Sequence, residues 1–287
     1  MTPNEADQSP ADTAPLGSGG AFTNILCAVD GKRGGFVAVE QAAALAGPEG
    51  HLTLLLVTSF RSAGDQRPPA IGPGQANRVI ERATSIAEQA GVPATVEVDP
   101  ATPPAEVILD WSDRHDLLAL GAPATSMLSG MFIAGVADTA LGSFSTPLLI
   151  ARPTPGEHDF AHRILVASDG REGSDALVEL GRRLAGARGA EMMLLHASGH
   201  ESRERQERVA EQERGLQQSS SASSEVRVER GSAHEVIVAT AESTGASLVV
   251  MGSRRLDGLR AMGSVSRRVV HEAPCSVLLV PPEHLRD

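Results

Sequence analysis

The chain has 287 residues, of which 41% are hydrophobic and only 2% aromatic, and its formal net charge is −11. The length suits two domains of ordinary size, whose cores must be aliphatic, as in a parallel sheet that helices bury on both faces. The acidic balance argues against nucleic acid as a partner, because a phosphate backbone needs a basic surface. No stretch approaches the roughly 20 apolar residues of a membrane span.

The first 21 residues are predicted to be a disordered tail. They combine Pro, Gly, Ala, Thr and acidic residues, without the basic start and apolar middle of a signal peptide. Cys27 and Cys275 are too few for a disulfide framework. We interpret them as small buried side chains in a reducing compartment, which predicts a cytoplasmic location.

Short apolar runs alternate with helical patterns along the first half. This alternation predicts a parallel sheet, because parallel strands need long connections that helices supply. The predicted strands are Thr23–Val29, Leu52–Val57, Ala94–Val98, Leu117–Leu120 and Pro147–Ala151, and the predicted helices are Gly35–Ala46, Gln75–Ala90, Pro103–Arg114 and Ile133–Ser143. Ser59–Gly74 is rich in Gly and Pro, which favours a surface loop and leaves open a cover over a site.

The second half repeats this order, and internal repeats decide the fold before any other feature. The predicted strands are Arg163–Ala167, Met192–His196, Glu225–Val228, Ser247–Met251 and Ser276–Val280, and the predicted helices are Ser174–Ala187, Glu201–Gly215, Ala233–Thr244 and Ser264–Glu272. We therefore predict two tandem α/β domains, residues 22–153 and 162–282, joined by a linker over 154–161. Each is expected to be doubly wound around a five-stranded parallel sheet.

An Asp-Gly pair follows the first strand of each half, at Asp30-Gly31 and Asp169-Gly170. In open α/β sheets, ligands bind beyond the carboxyl ends of the strands, where the strand order reverses. The carboxylates can accept hydrogen bonds from a ribose hydroxyl or a base amine, and the glycines let the backbone turn sharply. One Asp-Gly pair is a common turn, but two at equivalent strand ends indicate a ligand site.

A loop containing glycine follows the fourth strand of the second half and runs from Gly252 to Gly263-Ser264, where a helix begins. A helix N-terminus presents free amides and the positive end of the dipole, which together hold phosphates. Ser264 or Ser266 is also a candidate cap for that helix. The two roles are compatible, since a hydroxyl that caps the empty helix can contact a bound phosphate.

Both halves resemble universal stress protein domains, and the chain resembles a tandem universal stress protein of the nucleotide-binding α-hydrolase-like superfamily. The resemblance rests on the two Asp-Gly pairs, on Gly121 and Gly252, and on the closing run from Gly263 to Val280. It implies ATP, with or without Mg²⁺, and no metal site of the protein's own. The implied nucleotide-binding residues are Asp169, Ala197, Gly252, Arg255, Gly263, Ser264, Val265 and Ser266 in the second half, and Asp30, Thr58, Gly121 and Gly135 in the first.

Both halves depart from the family's phosphate loop, which reads Gly, two residues, Gly, nine residues, Gly, then Ser or Thr. Arg255 replaces the second glycine in the second half, and the loop is two residues shorter. In the first half Gly135-Val136 stands where Gly-Ser is expected, so the phosphate-contacting hydroxyl is absent. The first site is therefore expected to be the more degenerate.

The resulting prediction is an adenine-nucleotide-binding regulator of the stress response without strong catalysis, and so not an enzyme. One alternative is a nucleotide-free scaffold for dimerisation and interaction. Another is an enzyme of the related α-hydrolase class, but Ser18-Gly19-Gly20 lies before the first strand, where that signature has no structural context. His196 is interpreted as a packed strand-end residue rather than a catalyst. The resemblance also implies pairing between the last strands of the halves, an internal pseudo-dimer that leaves open a homodimer.

Overall fold

The structure is a computed structural model that describes residues 21–58, 73–100, 103–122, 136–154, 159–171, 173–198, 203–218, 224–253 and 264–285. Most of the predicted tail and most of the loop Ser59–Gly74 lie outside these residues, as do the predicted site residues Gly135, Arg255 and Gly263. In the described part of the chain, no helix combines the length and the apolar character that a membrane crossing requires.

Strands and helices alternate through both halves. The first half contains β1 (Phe22–Ala28), α1 (Arg33–Leu45), β2 (Ala46–Val57), α2 (Pro73–Gln89), β3 (Ala94–Asp99), α3 (Pro104–Ser112), β4 (Leu117–Gly121), α4 (Val136–Ser143) and β5 (Leu148–Ala151). The second contains β6 (Arg163–Ser168), α5 (Ser174–Arg188), β7 (Glu191–Ser198), α6 (Arg203–Gln218), β8 (Ser224–Arg230), α7 (Ala233–Thr244), β9 (Leu248–Gly252), α8 (Ser264–Glu272) and β10 (Ser276–Val280). A short 3₁₀ helix, Pro282–Leu285, follows β10.

The strands form one ten-stranded sheet in the order β3-β2-β1-β4-β5-β10-β9-β6-β7-β8. All pairs within a half are parallel, whereas β5 and β10 are antiparallel, with Leu149 opposite Leu278. The α/β prediction is confirmed. The last strands, which were expected at sheet edges, pair with each other, so the two halves share a sheet and form the internal pseudo-dimer.

Two aliphatic cores lie on opposite faces of this sheet. Helices α1, α2 and α5 cover one face, where Leu54, Val166 and Leu278 are buried. Helices α3, α4, α7 and α8 cover the other, where Leu55, Leu165 and Leu279 are buried. Successive strand residues point to opposite faces, so strands buried on both sides must be apolar throughout. This requirement explains the continuous runs of Val, Leu and Ile.

Local signals in the sequence fix several helix ends. Pro104 lies in the first turn of α3, where its missing N–H costs no hydrogen bond. Gly189 and Gly245 end α5 and α7 in the left-handed conformation, with φ of 61° and 66°. One strand boundary is wrong in the sequence analysis: β2 begins at Ala46 rather than Leu52. Phe22 pairs with Ala46 and Asn24 with His51, so the pairing of β1 resumes after a register shift that skips residues 47–50.

A buried polar cluster ties the halves together beside β5 and β10. Ser276 Oγ donates to Gln41 Oε1 at 2.7 Å and accepts from the amide of Arg152 at 2.9 Å. Gln41 Nε2 donates to the carbonyl of Arg152 at 2.6 Å. The Arg152 guanidinium donates to the Val270 carbonyl at 2.5 Å, and burial lowers its pKa. Residues from both halves therefore hydrogen-bond to one another at the junction, while the buried Arg152 Nη1 has no partner among the described residues.

Replacing Ser276 with Ala is predicted to destabilise the chain by about 1–3 kcal/mol, because it strands the buried groups of Gln41 and Arg152. Ser145→Ala is the control. That serine is half-buried, and its hydroxyl donates to Asp113 Oδ1 at 2.6 Å. Removing this hydroxyl is expected to cost no more than about 0.5 kcal/mol of stability. Urea unfolding at matched pH measures both variants, and equal losses would contradict the role of the junction.

Candidate functional site

The two Asp-Gly turns have the same local geometry. Asp30 Oδ1 accepts from the amide of Lys32 at 2.9 Å, and Asp169 Oδ1 accepts from the amide of Arg171 at 3.1 Å. The glycine between has φ of 77° at Gly31 and 63° at Gly170, the left-handed region that glycine enters freely. Each carboxylate also forms an ion pair with the basic side chain two residues later. Lys32 Nζ lies 3.0 Å from Asp30 Oδ2, and Arg171 Nε lies 3.6 Å from Asp169 Oδ2.

Each turn lies where the strand order reverses. β1 pairs with β2 on one side and β4 on the other, and β6 pairs in the same way with β7 and β9. The register sets Cys27 opposite Ala119 and Ala167 opposite Met251. Asp30 and Gly121 therefore border a first crevice, and Asp169 and Gly252 border a second. The topology places both pairs at ligand-binding positions of an open α/β sheet.

Backbone closes the first crevice. A Cβ built on Gly121 would lie 2.3 Å from the carbonyl carbon of Gly34 and 2.7 Å from the amide nitrogen of Gly35. The first turn of α1 thus rests directly on the end of β4. Glycine is required at 121 by this approach of two backbones.

The second crevice is built differently. Among the described residues, a Cβ on Gly252 would meet only the tip of Leu285, at 3.3 Å. A Cβ on Gly173, directly before α5, would lie 2.7 Å from the Leu285 carbonyl oxygen. The beginning of α5 is therefore set back from β9, and a side chain from the 3₁₀ helix after β10 lies between them.

A buried polar network supports the second turn. Ser168 Oγ accepts from the amide of Gly170 at 3.2 Å and donates to Gln212 Oε1 at 3.2 Å. Gln212 Nε2 in turn donates to Ser174 Oγ at 2.8 Å and to Asp175 Oδ1 at 2.6 Å. The network joins the end of β6, the first turn of α5 and the middle of α6, so it holds the Asp169 turn in place.

The first half has apolar side chains at the corresponding place. Val29, at the end of β1, is 4% exposed, and Val79 from α2 is likewise 4% exposed. A Cβ on Gly31 would lie 2.7 Å from Val79 Cγ2, so the valine packs directly under the turn. The two crevices therefore share a topology but differ in the chemistry beneath them.

His196 belongs to the core on the network side and is 1% exposed. Its Nδ1 lies 3.2 Å from the Ser168 carbonyl oxygen, and Nε2 has no hydrogen-bond partner among the described residues. Burial lowers the pKa of its imidazole, against the opposing effect of the Ser168 carbonyl and of Asp169 and Glu213. The side chain is thus a packed strand-end histidine that stays neutral.

The predicted positions at the end of the second strand are placed beside the crevices. Thr58 is 8% exposed and its amide donates to the Asp99 carbonyl at 2.8 Å, so that donor is already used. Ala197 is half-buried within β7, whose pairing with β8 continues to Ser198 opposite Arg230. In the first half, only the remaining backbone groups of this position are available to a ligand.

Helix α8 begins at Ser264 and has no acidic residue in its first turn, which suits an anion at its N-terminus. Val265 is half-buried and Ser266 is 4% exposed. The described residues contain no group of three or more His, Cys, Asp or Glu side chains that could hold a metal ion.

Sequence reasoning did not identify Gly34, Gly173, Gln212 or Leu285 as residues of the crevices. Pro281-Pro282 indicates that the last strand stops there, but no pattern shows that the following residues return to the end of β9. Gln212 lies in a helix whose Glu, Arg and Gln residues indicate a solvated surface. Only the packing of α6 reveals that this one glutamine is buried.

The two strand-end glycines form a matched pair for mutation. Gly121→Ala is predicted to destabilise by about 1–3 kcal/mol, because the new methyl group meets rigid backbone. Gly252→Ala is predicted to cost less than about 1 kcal/mol, since the tip of Leu285 can move by a few tenths of an ångström. Denaturant unfolding compares them, and equal losses would show that α1 and α5 lie equally close to the sheet.

Burial of His196 predicts a dependence of stability on pH. Its folded-state pKa lies below the ordinary 6.5. Between those two values the unfolded chain binds more protons, so the free energy of unfolding rises as the pH is raised and falls as the pH is lowered. The limiting slope for one histidine is about 1.4 kcal/mol per pH unit. In His196→Gln this slope should be weaker below pH 6.5. His115, whose pKa burial also lowers, serves as the comparison, and an unchanged slope in His196→Gln would contradict the assignment.

Comparison with known proteins gives the chain a family. The model of the universal stress protein family matches it twice, at residues 21–152 and 161–281. Among solved structures, a universal stress protein from Archaeoglobus fulgidus is similar, with TM-score 0.66, 22% identity, and coverage of 90% of this chain and 97% of that one. A putative universal stress protein from Pseudomonas aeruginosa gives TM-score 0.64, 18% identity, and coverage of 92% and 95%. None of the curated proteins matches. At these identities the structures show a shared fold, and the double match of the family model shows that the chain belongs to the universal stress protein family.

Proposed function

We propose that the protein is an adenine-nucleotide-binding regulator of the stress response, without strong catalysis, and that the second crevice is its ligand site. The observation that carries this proposal is the contrast at the two strand-end glycines. Backbone of Gly34 lies against Gly121, whereas among the described residues the group nearest to a Cβ on Gly252 is the tip of the Leu285 side chain. Family membership supports the regulatory role.

The second crevice offers suitable groups for a nucleoside phosphate. The Asp169 carboxylate is 44% exposed and can accept from a ribose hydroxyl or a base amine. Its ion pair with Arg171 is a solvent-facing pair of low cost to break. Across the crevice, α8 begins at Ser264, and the free amides of its first turn are suited to binding an anion. Ala197 would contact the adenine side through backbone, and Arg255 and Gly263 belong to the proposed phosphate loop.

The first crevice is proposed to have lost this function. Asp30 keeps the turn and an exposed carboxylate, but Gly34 lies against Gly121. Val136 also lacks the hydroxyl that would contact a phosphate, which supports the same conclusion. Binding there would require α1 to move off the sheet.

Binding rather than catalysis is proposed because the described titratable groups near the second crevice are poorly suited to chemistry. His196 is buried and held neutral, and Asp169 is tied to its own turn. A cytoplasmic location is proposed from the two buried thiols, since burial raises the pKa of Cys275 to about 12 and that of Cys27 further. Such thiols are protonated and unreactive.

Thermal unfolding with ATP, with and without MgCl₂, tests the proposal. A ligand that binds only the folded state at 100 times its Kd stabilises by about 2.7 kcal/mol, or roughly 5 °C for a chain of this size. Asp169→Ala should abolish the shift and Asp30→Ala should retain it. The two aspartates form the same turn, so the stability cost of each substitution is matched.

A purine chromophore released on denaturing the purified protein would support the same conclusion. No shift in the wild type at saturating ATP would contradict it and favour the nucleotide-free scaffold. That second candidate is supported by the β5–β10 junction, which the protein's own strands form, and by the Leu285 side chain beside Gly252. Product release from a panel of nucleotides would instead favour the enzyme.

A further inference from the structure

The 3₁₀ helix Pro282–Leu285 connects the last strand to the second crevice. It leaves β10 at Pro281 and crosses the carboxyl end of β9, so that Leu285 reaches the first turn of α5. Leu285 packs against the core on the α5 side of the sheet and stays half-buried. The segment therefore lies on the same rim of the sheet as Asp169.

Leu285 contacts both backbone segments that border the crevice on this side. A Cβ built on Gly173 would lie 3.1 Å from Leu285 Cβ. A Cβ built on Gly252 would lie 3.3 Å from Leu285 Cδ1. Gly173 has φ of 81°, so the backbone turns away there and admits the leucine. In the first half, Gly34 and Gly121 touch directly with nothing between them. Leu285 thus fills a gap that exists only in the second half.

The 3₁₀ helix is lightly held. His284 Nε2 donates to the Ser145 carbonyl at 3.0 Å, and the His284 amide donates to the Pro281 carbonyl at 3.1 Å. Ser145 precedes β5, so this contact joins the segment to the first half. A single 3₁₀ turn with one half-buried leucine buries less apolar area than a full helix, so moving it costs less than moving α1 or α5.

We propose that the 3₁₀ helix Pro282–Leu285 is an autoinhibitory plug, in which Leu285 occupies the place beside Gly252 that a ligand needs and must leave before the ligand binds. This inference rests on the proposed function of the second crevice. Because His284 contacts Ser145, release of the plug by a ligand in the second half also breaks a contact with the first half. Occupancy of the crevice is thereby communicated across the junction.

Three variants of the full chain test the plug by calorimetric titration with ATP and MgCl₂. A chain ending at Pro281 lacks the segment, Leu285→Ala removes only the filling side chain, and Leu285→Met keeps its bulk as the matched control. The first two are expected to bind ATP about tenfold more tightly than the wild type, and Leu285→Met is expected to bind like the wild type. Equal affinity in all four proteins would overturn the plug and leave the proposed function standing.

Hydrogen–deuterium exchange without ligand separates failure of the plug from failure of the proposed function. Removing the segment should speed exchange in residues 173–177 and 250–253 several-fold, and residues 34–38 and 119–122 of the first half serve as the internal control. If no variant binds ATP, the proposed function fails. Faster exchange would then still support a cover over the second crevice, and unchanged exchange would overturn it.

Discussion

The antiparallel pairing of β5 with β10 is the constraint on which the rest of the structure depends. It joins Leu148, Leu149 and Ile150 to Leu279, Leu278 and Val277, all of them fully buried. Because every other pair is parallel, this junction turns the strands of the two halves in opposite directions. The two crevices consequently open on opposite rims of one sheet. The pairing also removes two edges that would otherwise seek partners, leaving β3 and β8 as the outer strands.

The direction of the junction also explains the position of the plug. Since β5 and β10 run antiparallel, the end of β10 lies beside the residues that precede β5. The chain after β10 is therefore close to the first half and to the second crevice at once, and His284 reaches Ser145 while Leu285 reaches Gly252. In the first half the chain after β5 continues instead into the linker that leads to β6.

The two halves keep one topology while differing in what supports the Asp-Gly turn. Valine side chains pack beneath Asp30, which gives a dry support, and α1 comes down onto β4. Beneath Asp169, Ser168, Gln212 and Ser174 form a satisfied polar network, and α5 stays apart from β9. A buried polar network adds rigidity when its members are hydrogen-bonded to one another. The network therefore fixes the second turn without closing its crevice.

Much of this fold was predictable because strands buried on both faces are continuous apolar runs in the sequence. β10, α7 and α8 have the predicted bounds, and the Asp-Gly steps lie where the repeat placed them. The start of β2 was not predictable, since pairing with Phe22 overrides the local signal of Gly47-Pro48. The distance between a helix and a strand is a property of the assembled layers. For that reason Gly121 and Gly252 look equivalent in the sequence. In the structure Gly121 lies against the backbone of Gly34, whereas Gly252 lies near the side chain of Leu285.

The number of ATP molecules bound per chain tests the central claim most directly. The repeat supplies two crevices of the same topology, and the claim is that only the second binds a nucleotide. Native mass spectrometry of the full chain with ATP and a magnesium salt counts the adducts. We predict one ATP for each chain at saturation. Two would show that the contact between Gly34 and Gly121 does not close the first crevice, and none would show that neither crevice is a nucleotide site.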